Sequence, residues 1–195
     1  MGFIVSEGSK KSFSIPEGNY AAVCTGLIDL GEVENKLYGK VRKKILVMWQ
    51  IPEVPVTVNG QERGAMISKE YTASLGEKAN LRSDLEAWRG KKFTPEELEG
   101  FDVKNLLGAC CYLQIIHNDK GYANVNSIMS LPKGMPKIVV DPSEYLVFDF
   151  DDGEPAEGEE YERIPKWIRD KIESSLTYAK KYDFEEISDD GDLHF

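Results

Sequence analysis

Residues 19–30, NYAAVCTGLIDL, are the most informative stretch for the fold class, because they form a strand-like apolar run with a glycine, Gly26, in its interior. A glycine inside a strand often marks a bulge or a sharp bend. A first strand that bends at this point can serve two layers of a curved sheet. The rest of the chain then has to supply the strands that pair with it.

Four further segments have the composition of strands and are separated by turn signals. They are residues 40–51 (KVRKKILVMWQI), 65–74 (AMISKEYTAS), 109–117 (ACCYLQIIH) and 122–131 (YANVNSIMSL). Asn59-Gly60 predicts a hairpin turn before the third strand, and NDKG at residues 118–121 predicts a turn before the fifth. Residues 31–39 (GEVENKLYG) are predicted to form a connecting loop.

A helical pattern separates the third strand from the fourth. Leu81, Leu85 and Trp88 are spaced i, i+4 and i+7, which predicts one apolar face of a helix over residues 77–89. Thr94-Pro95-Glu96-Glu97 then predicts a second, short helix, with a capping threonine, a proline at the first helical position and acids in the first turn.

The order of these elements predicts a mainly β fold. Three strands, a helical segment and two strands match the OB-fold, a five-stranded, partly open barrel with its helix between strands 3 and 4. This OB-fold domain is expected to span residues 17–140, after an N-terminal arm of residues 1–16.

The residues beyond 140 form an appendage of different composition. Residues 141–181 are predicted to combine an acidic linker with a C-terminal amphipathic helix over residues 164–181. The apolar face of that helix comprises Ile164, Ile168, Ile172 and Leu176. Residues 182–195 (YDFEEISDDGDLHF) contain six acids and no Lys or Arg, so they are predicted to be a disordered acidic tail.

The net charge of −10 is the sum of two unequal parts. Residues 1–140 hold 18 Lys and Arg against 16 Asp and Glu, a net charge of +2, whereas residues 141–195 hold 6 against 18, a net charge of −12. An acidic protein ordinarily repels nucleic acid, but here the acidic excess lies in the appendage. The alternative, an acidic DNA mimic or anti-host protein, predicts acids spread over a folded surface.

The sequence contains no catalytic or cofactor-binding motif, so we predict neither an enzyme nor a cofactor. The odd count of three cysteines predicts free thiols rather than disulfides. The acids Asp149, Asp151 and Asp152 leave a metal-dependent nuclease as a second alternative. Their spacing is out of register with a calcium-binding loop, and no metal site is predicted.

The chain lacks the apolar segments that membrane insertion or secretion requires. No apolar run approaches the length of a transmembrane helix, and the N-terminal sequence lacks the apolar region of a secretory signal. A cytoplasmic protein without membrane contact is therefore predicted.

Basic and aromatic residues are interleaved along the predicted barrel. Single-stranded nucleic acid binding needs this mixture, because cations track the phosphates and aromatic faces stack on the bases. In an OB-fold, strands two and three and the loops between strands 1–2 and 4–5 form the binding face. The candidate nucleic-acid-binding residues are Tyr38, Lys40, Arg42, Lys44, Lys69, Tyr71, Arg82, Arg89, Lys91, Lys92, Tyr112, Lys120 and Tyr122. The alternative interpretation is a solvated basic edge with the aromatic rings in the core.

The C-terminal tail is a candidate partner-binding segment. Its proposed contacts are Asp189, Asp190, Asp192 and the terminal Phe195. Such a tail can compete with DNA for the protein's own basic groove, or present a terminal aromatic residue and a carboxylate to a partner.

These features together resemble bacterial and phage single-stranded DNA-binding proteins, whose tails are acidic and end in Phe. Residues 75–90 (LGEKANLRSDLEAWRG), 122–125 (YANV), 131–134 (LPKG) and 165–168 (PKWI) are similar to small phage and prophage replication-module proteins. The resemblance implies sequence-independent binding of single-stranded DNA in replication or recombination. It also implies recruitment of replication or recombination proteins through the tail, inside a bacterial host cell. A homodimer and a phage structural protein both remain open.

Overall fold

A computed structural model describes residues 14–152 and 157–183 of the 195-residue chain. The protein is mainly β. The strands are β1 (Gly18–Asn35), β2 (Lys40–Val58), β3 (Gln61–Thr72), β4 (Cys110–His117), β5 (Ala123–Ser130) and β6 (Leu146–Phe148). The helices are α1 (Asn80–Arg89), α2 (Pro95–Glu99), α3 (Glu159–Glu162), α4 (Lys166–Glu173) and α5 (Leu176–Tyr178). Short 3-10 turns cover Val103–Leu106 and Pro142–Glu144, and a π turn covers Ala179–Asp183.

The six strands form one sheet with the order β3-β2-β1-β4-β5, and β6 pairs with β1. The first five strands are antiparallel to their neighbours, whereas β6 runs parallel to β1. The predicted strands and the helix between the third and fourth are therefore confirmed, but the barrel is not. The strand β3 approaches β5 within 8 Å between Cα atoms, yet no ladder joins them along the described strands, so the sheet is not closed.

The bend predicted in the first strand is present. The pairing of β1 with β2 shifts register between Cys24 and Gly26, which is a β-bulge. A Cβ atom at Gly26 would lie 2.9 Å from the Met48 side chain, so the close approach of the strands also requires glycine. The bulge changes which residues of β1 face each side of the sheet.

The inner face of the sheet packs against α1. The predicted apolar face of this helix is confirmed, since Leu81, Leu85 and Trp88 are all buried. The rings of Trp49 on β2 and Trp88 have centroids 5.9 Å apart. The Trp88 indole N–H also donates a 2.8 Å hydrogen bond to the Cys110 carbonyl, which ties α1 to β4.

The outer face of β1 and β2 is covered by a C-terminal segment, which here means residues 141–152 and 157–183. This second core joins strand residues to residues of β6, α3 and α4. Its buried members are Ile28, Leu30, Leu46, Met48, Phe148, Phe150, Tyr161, Ile164, Ile168 and Ile172. Because β1 and β2 are covered on both faces, their central residues are apolar without alternation.

The helix predicted over residues 164–181 is wrong in its extent. It ends at Glu173, and a separate turn, α5, begins at Leu176 with Ser175 as its cap. The Ser175 hydroxyl accepts a 3.0 Å hydrogen bond from the Tyr178 N–H, and Ser175 is buried. A serine that caps a new turn in this way competes with continuation of the helix.

The first two hairpins are longer than predicted. The predicted loop at residues 31–39 is mostly paired strand, because β1 stays in register with β2 until Asn35 meets Lys40. The predicted turn at Asn59-Gly60 is confirmed, with φ values of 51° and 79°. Most of the predicted N-terminal arm and nearly all of the acidic tail lie outside the described residues.

Candidate nucleic-acid interface

Four of the thirteen candidate residues are cations that form ion pairs within the fold. The pairs are Lys44–Glu70 at 3.7 Å, Lys69–Asp84 at 2.7 Å, Arg82–Glu86 at 3.1 Å and Arg89–Glu97. A cation that already has a carboxylate partner neutralises a phosphate only if that pair is broken. These four residues therefore contribute less to an anionic ligand than their charge suggests.

Arg89 is held in the turn between α1 and α2. Its guanidinium lies 4.4 Å from the centroid of the Phe93 ring and 5.6 Å from that of Phe101. Hydrogen bonds from Arg89 and from the Thr94 N–H hold the pKa of Glu97 below its ordinary value. Arg89 thus stabilises the predicted capping of α2, which the structure confirms as a capping box.

Lys69 and Tyr71 both contact Asp84 of α1. The Lys69 ammonium and the Tyr71 hydroxyl each donate a 2.7 Å hydrogen bond to the same oxygen, Asp84 Oδ2. Burial, together with this carboxylate, raises the pKa of Tyr71 well above its ordinary value. Because Tyr71 is only 4% exposed, its ring packs in the inner core and offers no face for stacking.

The remaining candidates are mostly exposed. The cations Lys40, Arg42, Lys91, Lys92 and Lys120 are exposed and have no ion pair among residues 14–152 and 157–183. The side chains of Tyr38 and Tyr122 are 74% and 63% exposed, while Tyr112 is half-buried on β4 opposite Met129. Exposed rings beside unpaired cations are the combination that single-stranded nucleic acid requires.

Three of these exposed residues lie on the β1–β2 arm, defined here as residues 32–43. Tyr38 is at the turn, and Lys40 and Arg42 follow it on β2. The turn is fixed by Asn35, whose side-chain oxygen accepts a 2.9 Å hydrogen bond from the Leu37 N–H. The arm therefore presents an exposed aromatic ring and two exposed cations on a hydrogen-bonded hairpin.

A basic groove adjoins this arm. The β2–β3 groove has a volume of about 460 Å³ and is lined by Arg42, Lys44, Lys69 and Lys78, together with residues 70–72 of β3. Two carboxylates, Glu70 and Glu77, also line it. Because Lys44 and Lys69 are paired with Glu70 and Asp84, the lining cations without an ion pair among the described residues are Arg42 and Lys78. These two exposed cations favour an anionic ligand.

The β4–β5 hairpin presents Lys120 and Tyr122 at the other end of the sheet. Asn118 fixes this turn, because its side-chain oxygen accepts 3.0 Å hydrogen bonds from the N–H groups of both residues. Lys91 and Lys92 lie far from it, since the preceding Gly90 faces Ser130 at the opposite end of β5. Lys91 and Lys92 of the helical region and Lys120 of the hairpin, all candidate contacts, therefore lie in different places on the protein.

A second groove, the seam groove, lies between β3 and the β4–β5 hairpin. Its volume is about 580 Å³, and its lining includes Met66, Ser68, Lys120, Tyr122 and Trp167 of α4. Trp167 is not among the candidate residues predicted from the sequence. Its exposure could have been predicted, because Ile164, Ile168 and Ile172 define an apolar helix face that does not include Trp167.

The carboxylates considered for a nuclease are paired with lysines. Lys104 Nζ lies 3.2 Å from Asp149 and 2.8 Å from Asp152, and Lys43 Nζ lies 3.8 Å from Asp151. Each of the three carboxylates therefore has an ammonium group within 4 Å. No cluster suited to a metal ion is found in the portion of the chain that the structure covers.

The cysteines are free, as predicted. Burial raises the pKa of Cys24 to about 12 and that of Cys111 further still, so both thiols stay protonated near neutral pH. The proposed tail contacts Asp189, Asp190, Asp192 and Phe195 lie outside the described residues.

Within the described ranges, no helix has both the length and the apolar composition to cross a bilayer. Comparison with known proteins gave no matching family model, no matching curated protein and no matching solved structure. The functional interpretation therefore rests on the residues and their geometry.

Proposed function

We propose that this protein binds single-stranded DNA without sequence preference. The observation that carries the proposal is the alignment of two grooves along one strand. Residues 69–72 of β3 line the β2–β3 groove, and the preceding residues 66–68 line the seam groove. A strand of DNA that followed β3 would pass from the β1–β2 arm to the β4–β5 hairpin, and both hairpins carry an exposed tyrosine beside an exposed lysine or arginine.

The strand order supports an OB-fold whose barrel is left open between β3 and β5. An OB-fold binds oligonucleotides across strands two and three, between the loops that join strands 1–2 and strands 4–5. In this chain those loops are the tips of the β1–β2 arm and the β4–β5 hairpin. The C-terminal segment covers the outer face of β1 and β2, so we assign the DNA path to the β3 edge instead.

The chemistry is that of phosphate neutralisation combined with stacking. Lys40, Arg42 and Lys120 would neutralise phosphates and release their counterions, so affinity should fall steeply with salt. The rings of Tyr38 and Tyr122 would stack on bases, which tolerates any sequence because every base has a π face. A role in phage replication or recombination, in the cytoplasm of a bacterial host, follows from the resemblance and belongs to this proposal.

The acidic tail completes the proposed function. Asp189, Asp190, Asp192 and Phe195 would recruit replication or recombination proteins and would compete with DNA for the cations of the grooves. Competition of this kind lowers non-specific affinity without any change in the fold. Removal of residues 184–195 should therefore strengthen DNA binding at low salt.

A titration of the full chain with labelled DNA tests the proposal. Fluorescence anisotropy with a fluorescein-labelled oligothymidylate of about 20 nucleotides covers the site sizes of about 4–16 nucleotides found for OB-folds. We expect saturable binding that weakens with salt, and tighter binding by a chain that lacks residues 184–195. Absence of binding by both proteins at low salt would refute the proposed function.

A further inference from the structure

Trp167 is the one tryptophan in the protein whose ring is presented to solvent. The chain contains three tryptophans, and the side chains of Trp49 and Trp88 are 0% and 6% exposed. Trp167 is 49% exposed, although it lies directly beside the fully buried Ile168. A large ring placed at the surface of a well-packed helix needs an explanation other than the core.

The packing of α4 fixes the position of this ring. Ile168 and Ile172 are both 0% exposed in the core on the outer face of the sheet. On the side of the helix that faces β3, Lys171 Nζ lies 2.7 Å from Glu70 Oε2. Trp167 is one helical turn before Lys171, so its ring is held along β3 rather than on a mobile loop.

Tyr122 and Lys120 form the facing wall of the seam groove. Their N–H groups are both held by Asn118, as described above, and the tyrosine ring is 63% exposed. Met66 and Ser68 of β3 line the same groove. Two exposed rings, those of Trp167 and Tyr122, therefore line one groove.

The charge of the seam groove favours an anionic occupant. Among the residues that the structure describes, its lining includes one cation, Lys120, and no carboxylate, although the protein as a whole has a net charge of −10. An apolar peptide would use the rings but not the lysine, whereas a nucleotide uses both, since it has a π face and a phosphate. The neighbouring β2–β3 groove extends the same basic surface along β3.

We propose that Trp167 and Tyr122 form a base-stacking subsite for single-stranded DNA, with Lys120 on the adjacent phosphate. The inference rests on the proposed function and adds to it a residue from outside the OB-fold core. The C-terminal segment is then one wall of the DNA groove, rather than an appendage to it. Stacking in this subsite places bases against the indole ring and quenches its fluorescence.

Intrinsic fluorescence tests the subsite, because only one tryptophan is accessible. Titration of the full chain with unlabelled oligothymidylate should quench the fluorescence in step with the anisotropy of the labelled oligonucleotide. Trp167→Phe keeps an aromatic face, so it should bind DNA with an affinity close to that of the parent and show no quenching. Trp167→Leu keeps an apolar side chain but loses the π face, and should weaken binding by about five- to 150-fold.

Tyr122→Ala provides a second variant that leaves α4 untouched, and it should also weaken binding while leaving the thermal unfolding temperature unchanged. Lys137→Ala, which removes an exposed lysine that does not line the seam groove, is the matched control and should bind like the parent. The subsite is refuted if DNA binds but leaves the fluorescence unchanged, or if Trp167→Leu and Tyr122→Ala both bind like the parent. Those results would refute the subsite but not the proposed function. Absence of DNA binding by the parent protein would refute both the subsite and the proposed function.

Discussion

Asp84 Oδ2 accepts two hydrogen bonds of 2.7 Å, one from the Tyr71 hydroxyl of β3 and one from the Lys69 ammonium. This carboxylate therefore joins the helix α1 to the third strand. Both donors were candidate DNA contacts, and the geometry gives them a role in positioning α1. A test can separate the two roles, because stability and DNA affinity are measured independently.

Tyr71→Phe should destabilise the protein and leave DNA binding unchanged. The substitution removes a hydrogen bond to a charged group, which stabilises a fold by about 1.5–3 kcal/mol. Urea unfolding measures the loss, and Tyr38→Phe on the exposed arm is the control that should have no effect on stability. A Tyr71→Phe protein with parental stability and weakened DNA affinity would show instead that the hydroxyl contacts DNA.

Gly31→Ala should destabilise the docking of the C-terminal segment. Gly31 has a φ of +74°, and a Cβ atom there would lie 2.7 Å from Ser175 Oγ and 2.9 Å from Thr177. The backbone strain and the overlap together should cost about 2–5 kcal/mol, as the sum of roughly 1–2 for the left-handed backbone and roughly 1–3 for overpacking.

Gly39→Ala is the matched control for this substitution. Gly39 also has a positive φ, +60°, but a Cβ atom there would meet nothing within 4 Å. Thermal unfolding should therefore show a larger loss for Gly31→Ala than for Gly39→Ala. Equal losses of stability in the two variants would mean that close packing against Ser175 and Thr177 does not contribute to the effect of Gly31→Ala.

The ion pairs of Lys104 should make the C-terminal segment sensitive to acid. Burial alone would raise the pKa of Asp149, but hydrogen bonds from the Asp151 N–H and from Lys104 outweigh it, so the pKa lies below its ordinary value. A carboxyl group with a depressed pKa stabilises the fold above its unfolded-state pKa of about 3.9, and this contribution is lost as the pH falls through the folded-state value.

Lys104→Met tests this pH dependence. Hydrogen bonds to Asp152 and Asp149 raise the pKa of Lys104, so its contribution is complete below about pH 10.4 and is lost at more alkaline pH. The variant should lose about 0.2–1 kcal/mol per ion pair at neutral pH, and the difference from the parent should shrink as the pH falls through the lowered pKa of Asp149. Lys137→Met is the control for loss of an exposed lysine, and a difference that persists at low pH would exclude the ionic explanation.

Arg42→Ala should reduce the salt dependence of DNA binding. Each phosphate contact contributes about 0.7 to the slope of log affinity against log salt for a single strand. Loss of the exposed Arg42 should therefore lower the slope by about that amount, while Lys137→Ala should not change it. Salt titrations of both variants, run side by side, test this expectation. An unchanged slope of log affinity against log salt for Arg42→Ala would exclude the β1–β2 arm from the DNA interface.

The strands could be predicted from the sequence because their signals are local. Apolar runs, the glycine at position 26 and the turn at Asn59-Gly60 each act within a few residues. The pair of Lys69 with Asp84 could not be predicted, because Lys69 lies on β3 and Asp84 on α1, and the two meet only after the helix packs on the sheet. Exposure likewise depends on tertiary packing, so the sequence did not distinguish the buried Tyr71 from the exposed Tyr122.

For the C-terminal helix, the sequence predicted the apolar face but not the surface on which that face packs. Isoleucines at every fourth residue predicted the apolar face of this helix, and Ile168 and Ile172 on that face are fully buried. The surface that they cover lies on strands more than a hundred residues earlier in the chain. No local pattern specifies that docking partner, and the contribution of Trp167 to a groove follows only from the docked arrangement.

The pairing of β6 with β1 has a consequence for the order in which the chain folds. Leu146 pairs with Gly26 and Phe148 with Ile28, so one ladder spans about 120 residues of sequence. During synthesis the first five strands emerge before the residues that cover their outer face, which leaves the apolar side chains of Ile28 and Leu46 exposed until the end. Contacts of such long sequence separation slow folding, and nascent chains that stop short of β6 are expected to aggregate or to recruit chaperones.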